Sequence, residues 1–176
     1  MTSRSEPPII EVFRHHLWAN LSLFRFCETL TPDQLRLTVG GTYGTVYDTL
    51  LHIAVGEQWY VADLSNRGRT DPIGRGERLD GVRLTQNIER SGEALIEVAG
   101  RLTRADYARW SDRGKDESML AVRLAIQALD HATEHRTHIR TTLSEHGVEP
   151  PELDGWAYDA VSPDKGDYLD EGARNG

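Results

Sequence analysis

Four stretches of this chain carry apolar residues at steps of three and four, and each is bracketed by proline, glycine or polar punctuation. Such spacing lines one face of a helix with apolar side chains, and a face of that kind must be buried against another element. The first stretch runs from about Pro8 to Leu30, with Ile10, Phe13, Leu17, Leu21 and Phe24 in its stripe. Pro7 and Pro8 suit a helix entry, where a missing N–H costs little. Thr31-Pro32-Asp33 marks its end, because a residue before proline avoids helical dihedrals. The second stretch begins at Thr45, read as an N-cap, and reaches about Asn66, with Gly68 placed to stop it. The third runs from about Thr85 to Leu102, with Ile88, Leu95 and Ala99 in its stripe. The fourth runs from about Ser118 to His146 and stops at Gly147.

No alternation typical of strands stands out between them. The charged stretch after Leu102 offers Trp110 as its one large apolar anchor and reads as a loop. The fold class expected is therefore all-α: an up-down-type four-helix bundle with long loops. A single domain spans residues 1–176, with a core over about 8–160. Pro150-Pro151 and the pair Trp156 and Tyr158 predict a C-terminal tail packed back on the bundle, frayed over 161–176.

Composition narrows the function classes. A net charge of −8 argues against nucleic acid as a partner, since phosphate contacts need clustered cations. No apolar run approaches the ~18–20 residues of a membrane span. The first eight residues lack the apolar stretch of a signal peptide, which predicts a cytoplasmic location. One cysteine, Cys27, leaves no pair for a disulfide and no CxxC motif, and it reads as an inert core residue.

The fourth stretch holds the chemistry. Leu124, Ala128, His131, His135, His138 and Thr142 follow one another at steps of four, three, four, three and four. Histidines stand there where an inward stripe would carry leucines. His131 and His135, four apart, can aim two imidazoles at one ion, and so can His135 and His138, three apart. His131 and His138 lie about 10 Å apart along the axis, too far to share one ion. Spacing leaves both pairs open. A third ligand must come from another helix, and His52, set in Leu50-Leu51-His52-Ile53-Ala54-Val55, is the natural choice. Gly56, one turn on, withholds a side chain from the space beside it. Each histidine also has a plainer reading, as a core residue hydrogen-bonded through one ring nitrogen. Burying several imidazoles together leaves many nitrogens to satisfy, and a metal satisfies three at once.

Four segments in order carry a resemblance. Gly41-Thr42-Tyr43-Gly44-Thr45 with Leu50-Leu51-His52-Ile53-Ala54 resembles the second-helix entry of the DinB/YfiT-like family, the damage-inducible DinB proteins of the four-helix bundle type. Asp130-His131-Ala132-Thr133-Glu134-His135-Arg136 is similar to that family's H-x-x-x-H motif followed by arginine. Phe13 to Asn20 resembles its first helix, and Gly147 to Tyr158 its C-terminal segment. The resemblance spans roughly residues 8–160. It implies His52, His131 and His135 as metal ligands, choosing His131 over His138. Where many relatives carry glutamine two positions after the arginine, this chain carries His138.

The expected cofactor is one divalent ion, zinc or nickel, because nitrogen donors with open positions describe a catalytic rather than a closed site. Such an ion activates water for hydrolysis or a thiol for transfer or isomerisation. The resemblance implies the thiol reaction, with a low-molecular-weight cosubstrate such as bacillithiol or mycothiol. A metal-dependent hydrolase and a non-catalytic metal-binding stress-response module are the alternatives. Glu57 and Glu134 are candidate partners for ligand N–H groups. Asn20, Gly56, Trp59 and His138 are candidate contacts for a small-molecule substrate, and a homodimer is expected.

Overall fold

The computed structural model describes residues 6–69, 72–74, 76–112 and 114–162. The chain is mostly helical, with a small two-stranded sheet. The helices are α1 (Ile9–Glu28), α2 (Pro32–Leu35), α3 (Val46–Ser65), α4 (Gly81–Ala99), α5 (Ala121–Glu145) and α6 (Gly155–Val161). Strands β1 (Tyr107–Asp112) and β2 (Lys115–Leu120) lie between α4 and α5. Helix α1 packs on α4, α4 on α3, and α3 on α5, which returns to α1. Among the described residues no helix is long and apolar enough to cross a membrane.

Local chemistry sets the boundaries. The hydroxyl of Thr45 accepts the Asp48 N–H at 3.0 Å, so α3 starts at the N-cap read from sequence. It ends near Asn66 as the sequence indicates, but the stop is Asn66 itself, in the left-handed conformation at φ 52°, rather than Gly68. Helix α4 begins four residues earlier than its periodicity predicts, because Asp80 caps it by accepting the Arg83 N–H at 2.8 Å. Thr31 and Gln34 form a capping box that starts the one-turn α2 within what read as loop.

The hairpin is the main correction to the all-α expectation. Tyr107 pairs with Leu120 and Asp112 with Lys115, and Gly114 takes the positive φ of 78° that a tight turn needs. Strand β2 is largely exposed, so it has no buried face to impose an alternating pattern on the sequence. In β1, Ala108 rather than Trp110 is the buried anchor. The fourth long helix accordingly starts at Ala121, after the strand, rather than near Ser118.

The tail does pack back, through α6. The Tyr158 ring lies 5.3 Å from both Trp18 and His15 of α1, and its hydroxyl donates to Glu11 Oε1 at 2.8 Å. Trp156, expected to pack beside it, is 86% exposed instead. Val161, where the end was expected to fray, is the last residue of α6, and the rest of that end lies, past Ser162, outside the described residues.

One core cluster joins Leu23, Phe24, Leu50, Ile53, Leu84, Ile88, Ile139 and Leu143. A second, toward the hairpin, joins Phe13, Leu64, Leu95, Ala108 and Leu124. Helices α3 and α5 are held side by side by these contacts, and they carry the histidines.

Candidate metal centre

His52 of α3 and His131 and His135 of α5 bring one nitrogen each to a common point, with all three atoms within 4.8 Å of one another. Nε2 of His52 and Nε2 of His131 are 2.9 Å apart. The ring centroids are 4.5 Å apart for His131 and His135 and 4.6 Å for His52 and His135. His135 is buried, and the other two are half-buried. The H-x-x-x-H spacing works as the helix geometry requires, one imidazole a turn above the other.

The rings are supported on several sides. Tyr43, from the loop before α3, stacks on His52 at 4.0 Å with an 18° tilt and meets His135 edge-on at 5.1 Å. Tyr60 meets His131 edge-on at 5.5 Å. His138 Nδ1 lies 3.3 Å from His135 Nδ1. If His135 Nδ1–H donates to His138, the lone pair left for a metal is on His135 Nε2. His138 thus stands behind a ligand rather than among the three.

Burial favours the neutral, metal-ready form of all three imidazoles. It pushes His131 down to about 4, with the neighbouring His135 and His52 adding to the effect. Burial lowers His52 as well. His135 is lowered by burial and by His52 and His138, against a smaller opposing pull from Glu134. Three neutral nitrogen donors with no carboxylate among them form a donor set that fits a borderline-soft divalent ion.

The two glutamates part company with their expected place. Glu57 is buried, 3% exposed, and its hydrogen-bond partners lie on α1 and α4 rather than among the three rings. Its Oε2 accepts from Asn20 Nδ2 at 2.8 Å and lies 3.1 Å from His16 Nε2, while Oε1 accepts from the Ser91 hydroxyl at 3.0 Å. Glu134 is exposed and acts on His135 only through space. Asn20 is fully buried, and its Oδ1 accepts from Arg136 Nη1 at 2.7 Å. A buried chain from Arg136 through Asn20 to Glu57 therefore ties α5 to α1 and α3. Burial lowers the Arg136 guanidinium to about 10, and the charge of Glu57 opposes that shift. His16, which sequence reasoning gave no role, completes the cluster, and its buried Nδ1 has no hydrogen-bond partner. Cys27 lies elsewhere in the core, and burial pushes its thiol up to about 12.

A cavity of about 520 Å³ opens beside the centre, with Tyr43, Leu51, His52, Val55, Trp59 and Arg69 in its wall. Trp59 lines it as expected. Asn20 and Gly56 are not in its wall; the room beside Gly56 holds the His131 ring. Tyr43 and Arg69 were missed as site residues, because both sit in glycine-bearing loops whose path the sequence does not reveal.

The family model for the DinB family matches residues 1–166. The chain belongs to the DinB family. That membership agrees with the position-by-position resemblance, and the three histidines it implied are the three that converge in this DinB-family chain. No protein of curated function matches the sequence.

Proposed function

We propose that this DinB-family protein is a metal-dependent enzyme that activates a low-molecular-weight thiol, as an S-transferase or isomerase, on an up-down four-helix bundle. His52, His131 and His135 hold one divalent ion, zinc or nickel. When bound to such a site, the ion supplies Lewis acidity that favours the deprotonated form of a thiol or water. The protein's own part is to present three neutral nitrogens, to fix them by packing, and to leave one side accessible.

The observation that carries this reading is the cavity against His52. A purely structural metal site is closed on all sides by protein ligands, whereas a catalytic one keeps a position for substrate. Tyr43 and Trp59 give that cavity aromatic walls against which an apolar substrate can pack.

Elemental analysis of the purified protein should find one equivalent of zinc or nickel. The metal-loaded protein should then conjugate a small thiol to an electrophile, and His135→Ala should lose both properties. Bound metal without conjugation across several thiols would leave a hydrolase or a non-catalytic module, and no bound metal would end the enzyme reading.

A further inference from the structure

Among the described residues, Arg69 is the cation in the wall of the His52 cavity, and its surroundings leave it able to take a ligand. Its guanidinium carbon lies 3.8 Å from the centroid of the Trp59 ring. Stacking engages the face of the guanidinium and leaves its N–H donors, which lie in the plane, pointing outward. Among the described residues it forms no salt bridge. Asp63, the carboxylate its charge reaches, still has a raised pKa because burial outweighs Arg69, unlike the partner of a close ion pair.

Among the described lining residues, the two carboxylates are already engaged. Asp48 Oδ2 accepts from the Thr45 hydroxyl at 2.7 Å, and Oδ1 lies 3.9 Å from Arg78 Nη1. Glu77 Oε2 accepts the Gly74 N–H at 2.9 Å, and Oε1 lies 3.4 Å from Arg83 Nη2. The remaining wall near Arg69 is apolar: Leu51, Val55, Trp59 and Ile73. A volume of about 520 Å³ suits a small organic molecule.

We propose that this cavity binds an organic carboxylate, its anionic end paired with Arg69, its apolar body against Trp59 and Val55, and its reacting end toward His52. The assignment rests on the metal-enzyme reading for what happens at that reacting end, but not for binding itself. A planar carboxylate matches the guanidinium fork, and the stacked Trp59 holds that fork in place.

Three probes of one shape separate charge from apolar contact: 3-phenylpropionate, 3-phenylpropionamide and 3-phenylpropylamine. Each is titrated by calorimetry into the full-length protein, zinc-loaded and metal-free. The carboxylate should bind about tenfold more tightly than the amide or amine. Arg69→Gln should erase that preference while still taking up one zinc, and Trp59→Leu should weaken the carboxylate and the amide together. Equal or tighter binding of the amide or amine overturns the proposal. So does an unchanged preference in Arg69→Gln, or no saturable carboxylate binding up to about 10 mM. The two readings fail separately: an Arg69-dependent preference in a protein without thiol chemistry upholds the carboxylate site and removes the reaction. Should Arg69→Gln not fold, as seen by circular dichroism, Arg69→Lys decides, because an ammonium keeps the charge without the fork and should keep only part of the preference.

Discussion

A Cβ built on Gly56 would lie 2.7 Å from Cε1 of His131, so the ligand ring occupies the room that the absent side chain leaves on α3. Two effects of Gly56→Ala then oppose each other. Alanine in a helix interior is worth about 1 kcal/mol over glycine, while the imidazole must swing away from the methyl. The ring can move, so stability should hold or rise, and the metal affinity should fall about tenfold or more. Thermal unfolding of the metal-free protein and a zinc competition titration read the two effects independently. Unchanged zinc affinity would mean that the ring position near Gly56 does not matter to the site.

His135 and His138 should separate cleanly. His135→Ala removes a ligand and should abolish stoichiometric zinc binding. His138→Ala removes a neighbour of the His135 Nδ1, and should keep one zinc per chain with affinity reduced about tenfold at most. Equal losses at both positions would show that the wrong pair has been chosen on α5.

Glu57 and Arg136 are both buried, at 3% and 6% exposure, and are joined through Asn20. Glu57→Ala leaves the guanidinium without its counter-charge and should destabilise the protein by about 3 kcal/mol or more. The double variant Glu57→Gln with Arg136→Met removes both charges and should cost less than the two single changes summed. Urea unfolding of the parent, Glu57→Gln, Arg136→Met and the double variant checks this, and strict additivity would show that the two charges do not act together.

The metal-free protein should lose stability in mild acid. His131 titrates at about 4 when folded against 6.5 ordinarily, and His52 and His135 are lowered as well. As pH falls below 6.5 the unfolded chain takes up protons that the folded one does not, so the balance shifts toward unfolding. The contribution of these groups is intact above pH 6.5 and falls away toward pH 4. The urea midpoint measured over that range should fall less steeply in His131→Phe than in the parent. Equal slopes would remove His131 from the account.

Much of the fold was legible because its stripes are buried on one side. Phe13 and Phe24, Leu50 and Ile53, and Leu95 and Ala99 recur at helical spacing because each faces the core. The hairpin was not legible for the same reason in reverse: Lys115 to Ser118 are exposed, and exposed positions carry no periodic signal. The start of α4 was missed because Asp80 has to be known as a cap before Gly81 and Val82 read as helix.

At the site, the spacing of His131 and His135 is enough to put both on one helical face, since a four-residue step on a helix permits nothing else. It could not choose between His131 and His138 as partner to His135 without the family likeness, because both spacings bring two rings together. The packing of the helices is what brings His52 to them, fills the space beside Gly56 with a ring rather than a substrate, and turns Glu57 to Asn20 and His16. Those outcomes depend on how α3 is set against α5 and α1, and on the paths of the loops carrying Tyr43 and Arg69. Spacing along a chain fixes the face of one helix; which faces meet is settled by packing among all of them.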